Sequence, residues 1–232
     1  EALLRCTSAE HGEIPPTTFI PLAEETGMIM EIGEWVLREA CLALQRWRQH
    51  GGLEHVSMAV NVSALQLSRG DLPAVVERVL AESRLPAERL ELELTESVIM
   101  AGTDHTTRRL EAFRKLGVSL AVDDFGTGYS SLAYLKRLPI TTLKIDKEFV
   151  SDVIRDPDDA AITTTVIAMA HAMELNVVAE GVESEAQLRF LRDHGCDEIQ
   201  GYWLSPPLAA QRCLAFLRNW SPAAPGRAQA AP

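Results

Sequence analysis

The stretch Val118-Ser119-Leu120-Ala121-Val122-Asp123-Asp124-Phe125-Gly126-Thr127-Gly128 runs from an apolar segment straight into two adjacent acids and a glycine-punctuated loop. Residues 118–122 read as a buried strand with Asp123 and Asp124 at its C-terminal end. Carboxylates placed this way repel each other unless a cation or a shared proton offsets the charge. The pattern points to a metal site, and the competing reading is a solvated Asp-Asp turn ahead of the glycines.

Further β-like runs lie at 1–6, 56–62, 90–95, 141–145 and 176–179, with a weaker one at 198–199. Between them the 3.6-residue periodicity predicts helices over 35–48, 72–83, 106–115, 159–173 and 185–193. Gly117 and Gly195 fall just past two of these helices, where a left-handed cap is expected. Strand-helix alternation leaves two architectures, an open doubly wound sheet or a closed (β/α) barrel. No GxGxxG or GxxxxGK[ST] loop supports the open sheet. Asn61, Glu93, Asp123, Lys144 and Glu180 all fall at the C-terminal ends of different strands, the face on which such barrels carry their active sites. The expected fold class is therefore α/β, a (β/α)8 TIM-like barrel.

A chain of 232 residues accommodates one such barrel or two smaller domains. With 47% hydrophobic and 24% charged residues it reads as a soluble globular protein, and it has no run of 18 apolar residues. A net charge of −11 argues against gripping a long polyanion through basic patches, so extended nucleic acid is not an expected partner. A small phosphate ligand stays open, because bound divalent cations reverse the local sign. Cys6, Cys41, Cys196 and Cys213 are far apart and form no CxxC pair. They suggest neither a zinc knuckle nor a disulfide framework, and a reducing cytoplasm fits. The chain opens at Glu1 without a signal-peptide pattern and reads as a fragment, a domain over 1–220 followed by an Ala/Pro-rich tail or linker over 221–232.

In Leu90-Glu91-Leu92-Glu93-Leu94-Thr95-Glu96, alternation puts Glu91, Glu93 and Thr95 on one face and the leucines on the other. The leucines face the helices, so Glu93 points inward, as a metal ligand or as an ordinary barrel salt-bridge acid. Asn61, in Ala59-Val60-Asn61-Val62-Ser63, offers a neutral oxygen by the same parity or forms a turn. Hard oxygen donors of this kind suit Mg²⁺ or Mn²⁺. Lys144 stands in an apolar strand, where its ammonium needs carboxylate or phosphate partners unless it reaches solvent from an edge. Glu180 and Glu183 follow another strand across Gly181, and Glu183 also suits a helix N-terminus.

Glu1-Ala2-Leu3-Leu4-Arg5 resembles the signature that names the EAL domain, the bacterial phosphodiesterase of cyclic di-GMP. The resemblance runs to about Trp220. It takes in Phe19-Ile20-Pro21-Leu22-Ala23-Glu24, Asn61-Val62-Ser63, Glu93-Leu94-Thr95-Glu96, the Asp123–Gly128 loop with Tyr129-Ser130-Ser131, Lys144-Ile145-Asp146, Glu180-Gly181-Val182-Glu183 and Gln200-Gly201-Tyr202. It implies that Glu1, Asn61, Glu93 and Asp123 bind one metal ion, and that Asp123, Asp124 and Glu180 surround a second. Lys144 would contact the attacking water, Glu96 would secure the loop after Asp124, and Arg5, Leu3, Glu183 and Gln200 would lie on the substrate side. The implied reaction is cleavage of cyclic di-GMP to linear pGpG with Mg²⁺ or Mn²⁺, Ca²⁺ being inhibitory. The alternative is a receptor or interaction domain that binds the dinucleotide without hydrolysing it. The resemblance further implies a homodimer, a strand ahead of Glu1, upstream sensory or regulatory domains and a cytoplasmic location, with membrane anchoring of the longer protein left open. Where the family usually has tryptophan after the signature, this chain has Cys6.

Overall fold

The computed structural model describes residues 1–100, 104–126, 128 and 132–220. In chain order the elements are β1 (Cys6–Ser8), β2 (Gly12–Ile14), α1 (Pro16–Thr26), α2 (Ile29–Arg48), β3 (Met58–Asn61), α3 (Ala64–Ser68), α4 (Leu72–Ser83), β4 (Leu90–Thr95), α5 (Glu96–Met100) and α6 (Asp104–Leu116). They continue with β5 (Ser119–Phe125), α7 (Leu132–Leu135), β6 (Thr142–Ile145), α8 (Lys147–Ser151), α9 (Pro157–Ala172), β7 (Asn176–Ala179), α10 (Glu185–Asp193), β8 (Glu198–Ile199) and α11 (Ala210–Asn219). The chain forms two compact units, Glu1–Leu94 with Ala101–Leu120, and Thr95–Met100 with Ala121–Pro232. The expected tail over 221–232 lies outside the described residues.

In the first unit, β3 and β4 pair in parallel and set Asn61 opposite Glu93. The alternation in β4 has its expected effect: Leu90, Leu92 and Leu94 are buried, and so is Glu93, at 2% exposure. The strand expected over 1–6 is not formed. Ala2 makes an isolated parallel bridge to Val60, its amide donating to the Ala59 carbonyl at 2.9 Å. The chain then turns into the antiparallel hairpin β1–β2. The Ser8 hydroxyl drives that turn by accepting from the amides of Glu10 and His11, a local bond that competes with strand extension.

Helix α1 lies outside the helices that periodicity predicts, in a stretch that carries Pro15, Pro16 and Pro21. Pro16 begins the helix, where its missing N–H costs nothing, and Pro21 is accommodated further along. Helix α2 buries Ile29, Gly33, Leu37, Ala40, Cys41 and Leu44 along one stripe. It starts six residues before the periodicity predicts. Helices α3, α5, α7 and α8, of four or five residues each, are shorter than any window in which periodicity is readable.

In the second unit, β5, β6, β7 and β8 pair in parallel in sequence order. Val122, Leu143, Ile145, Val177 and Ala179 are fully buried along these strands. The strand expected over 118–122 extends to Phe125, so both acids lie inside it. Asp156 caps α9 by accepting from the Asp158 amide, and Asp158 and Asp159 add negative charge where the helix dipole is positive. Ser184 and Gln187 form a reciprocal capping box at the start of α10. Gln187 also donates to the carbonyls of Val150 and Ser151, fixing α10 to α8.

Candidate metal centre

A regular strand would send Asp123 and Asp124 to opposite faces. Strand β5 is not regular: Val122 pairs with Leu143 and Phe125 with Ile145, so two residues of β5 stand against Lys144 alone. The extra residue is absorbed at Asp124, whose φ of 54° is left-handed. That conformation costs about 1–2 kcal/mol for a residue with a Cβ, and aspartate is among the side chains that adopt it most readily. The resulting bulge brings the two carboxylates to one site. An oxygen from each of Asp123, Asp124 and Glu180 lies within 4.8 Å of the others.

Lys144 enters this group from β6. Its Nζ lies 2.6 Å from Glu180 Oε1 and 3.2 Å from Asp123 Oδ1, so the ammonium buried in an apolar strand has two carboxylate partners. Glu180 is placed by the end of β7, its amide donating to the Ile145 carbonyl at 3.1 Å. Burial pushes the Asp124 carboxyl up to about 6, aided by the Asp123 charge, by a hydrogen bond with Asp146 and the charge there, and by the Glu180 charge. Asp146 received no role from the sequence. The signal was available, since Lys-x-Asp spacing on an extended segment would put Lys144 and Asp146 on the same side. Asp146 also caps α8 by accepting from the Glu148 amide at 2.6 Å.

Glu96, at the start of α5 and 3% exposed, accepts from the Gly126 amide at 2.9 Å. Gly128 approaches the same carboxylate so closely that a Cβ there would stand 2.7 Å from Glu96 Oε1. The expected contributions of Thr127, Tyr129, Ser130 and Ser131 lie outside the described residues. Gln200 brackets the turn after β7 through its backbone, its amide donating to the Ala179 carbonyl and its carbonyl accepting from the Val182 amide. Glu183 is exposed, its amide donating to Gln187 Oε1.

The first unit holds its own group of oxygen donors. Asn61 Nδ2 donates to Glu1 Oε1 at 2.6 Å, and the Val62 amide donates to the Glu93 carbonyl at 2.9 Å. Nearby, Leu3 is 44% exposed. Arg5 donates to the Leu4 carbonyl, and its Nε lies 3.8 Å from Glu13 on β2. The donor sets of both units consist of carboxylates and an amide, without thiolate or imidazole. That chemistry fits a hard divalent cation such as Mg²⁺ or Mn²⁺.

The residue pattern described as the EAL domain matches residues 1–207. The bifunctional diguanylate cyclase/cyclic di-GMP phosphodiesterase MucR of Pseudomonas aeruginosa is 47% identical over 215 residues, covering 93% of this chain and 31% of that protein. The cyclic di-GMP phosphodiesterase NbdA of the same organism is 46% identical over 220 residues, covering 95% of this chain and 28% of that protein. The chain thus spans about a third of the length of these relatives. Among solved structures, the PaMucR phosphodiesterase in complex with c-di-GMP aligns with a TM-score of 0.87 and 45% identity, covering 91% of this chain and 85% of that one.

Proposed function

This chain belongs to the EAL domain family, whose fold class is the α/β TIM-like barrel, and on that premise we propose that it hydrolyses one phosphodiester bond of cyclic di-GMP to linear pGpG, using Mg²⁺ or Mn²⁺. The observation that carries this reading is Lys144 held between Asp123 and Glu180, with Asp124 brought alongside by the bulge. Asp123, Asp124 and Glu180 would hold one cation. Glu1, Asn61 and Glu93 would serve the other that the family resemblance assigns. Bound there, divalent cations supply Lewis acidity toward water and offset charge on the phosphoryl oxygens.

The protein groups do the positioning. Asp123 and Glu180 hold the Lys144 ammonium between them by two ion-pair contacts, which sets it to orient the incoming water. The water oxygen forms the new bond to phosphorus as the ribose 3′-oxygen leaves and takes up a proton. Glu96 holds the chain after Asp124 through the Gly126 amide, which keeps the acid pair in register with Lys144. Arg5, Leu3, Glu183 and Gln200 belong to the substrate side of the same reading. A homodimer and further signalling domains in the longer protein belong to it as well. No helix among the described residues is long and apolar enough to cross a membrane.

The test is incubation of the purified chain with cyclic di-GMP and Mg²⁺ or Mn²⁺, chromatography for pGpG, and a chelator control. Metal-dependent pGpG, suppressed by Ca²⁺, is the expected result. Binding of the dinucleotide without product would replace the hydrolase with a receptor.

A further inference from the structure

We infer that Arg109 is a positioning residue for the turn that presents Asn61. The path begins at Asn61, the last residue of β3. Two residues later Ser63 caps α3: its hydroxyl accepts from the Gln66 amide at 3.3 Å, and Gln66 Oε1 accepts from the Ser63 amide at 3.1 Å. Helix α3 has only five residues, far too few to persist on its own. Its placement must come from its neighbours, and two of them grip it.

The first grip is steric. Gln66 is 3% exposed and lies flat against Gly33 of α2, where a Cβ would stand 1.9 Å from Gln66 Nε2. The same side chain that closes the capping box is therefore trapped against α2. The second grip is Arg109, on α6. Its Nη1 donates to the carbonyls of Gln66, Leu67 and Arg69, and its Nη2 donates to that of Gly70. Those of Gln66 and Leu67 are among the carbonyls a helix leaves without partners at its C-terminal end, where positive charge is favoured, and those of the C-cap Arg69 and of Gly70 follow directly. Collecting four acceptors needs the planar fork of a guanidinium, and a lysine ammonium has too few donors in the wrong arrangement. Arg109 thus fixes α3 from its C-terminal end, and α3 through Ser63 fixes the chain that leaves Asn61.

The inference rests on the proposed function only for its metal readout. Arg109→Lys keeps the charge and loses the fork, and Arg109→Gln is the second variant should the first not fold. Hydrogen–deuterium exchange over 61–70 is expected to accelerate by about tenfold or more in the variant, with α4 unchanged. The Mn²⁺ concentration for half-saturation, followed by calorimetry without substrate, is expected to rise about tenfold, the scale typical when support behind a ligand is removed. Arg108→Ala, on the exposed neighbour, should change neither. Unchanged exchange over 61–70, acceleration shared equally by α4, or an unmoved Mn²⁺ midpoint would each overturn the assignment. A wild-type chain that makes no pGpG would sink the proposed function, while the exchange comparison would still decide the role of Arg109.

Discussion

The Lys144 ammonium and the Glu180 carboxylate stand 2.6 Å apart with side-chain exposures of 3% and 19%, and Asp123 completes the contact at 3.2 Å. Removing the cation from this group leaves the carboxylates facing one another. Lys144→Ala is expected to destabilise the metal-free protein by about 3–5 kcal/mol, as for other broken buried pairs. It should also abolish pGpG formation while cyclic di-GMP still binds. Urea unfolding in chelator and calorimetry with the dinucleotide measure the two effects separately.

Asp124 makes the metal-free protein pH-sensitive with a defined sign. Its folded value of about 6 lies above the ordinary 3.8, so ionisation works against the fold. The stability this group contributes is fully present below 3.8 and is lost as the pH climbs through about 6. Asp124→Asn should therefore flatten that part of the stability profile and raise the melting temperature at pH 7 in chelator. The wild-type affinity for Mn²⁺ should strengthen over the same window, because protons compete for the carboxylate.

Glu96→Ala removes the acceptor of the Gly126 amide. The donor is part-buried, so leaving it without its charged partner is expected to cost about 1 kcal/mol, the low end for such a loss, and the loop after Asp124 loses its tether. Denaturant unfolding should report the first effect, and a weaker Mn²⁺ titration the second. Wild-type affinity in this variant would remove Glu96 from the positioning role.

Gly201 sits against the backbone of Val182, where a Cβ would approach the Val182 carbonyl oxygen to 2.2 Å and its amide nitrogen to 2.3 Å. Those atoms accept from the Trp203 amide and donate to the Gln200 carbonyl. Gly201→Ala must push strand-end backbone apart, with an expected loss of about 1–3 kcal/mol or more. Faster amide exchange at Val182 and Trp203 would locate the damage, and an unchanged melting temperature would contradict it.

Regular periodicity carried much of the fold in the sequence. Helices α4 and α10 span the residues their patterns predict, and the Leu/Glu alternation of β4 correctly buries both the leucines and Glu93. What stayed hidden follows from local chemistry that periodicity does not sense. Ser8 turned the first segment into a hairpin, and Pro16 begins a helix over a stretch for which no periodicity predicts one. At the site, residue types marked Asp123, Asp124 and Glu180 as candidates, but side-chain parity alone would have separated the two aspartates. A single left-handed residue reunites them, and no hydrophobic pattern encodes it. Arg109 was equally silent, because its partners are backbone carbonyls that carry no side-chain signature.

The left-handed backbone at Asp124 changes how any mutational scan of this position has to be interpreted. Most side chains would disturb the bulge and remove the carboxylate together, so their loss of function confounds geometry with charge. Asn and Gly pull the two apart: both tolerate the φ of 54°, yet Asn keeps a neutral oxygen where Gly leaves none. The difference between those two variants measures what an oxygen at this point is worth, on an undistorted strand.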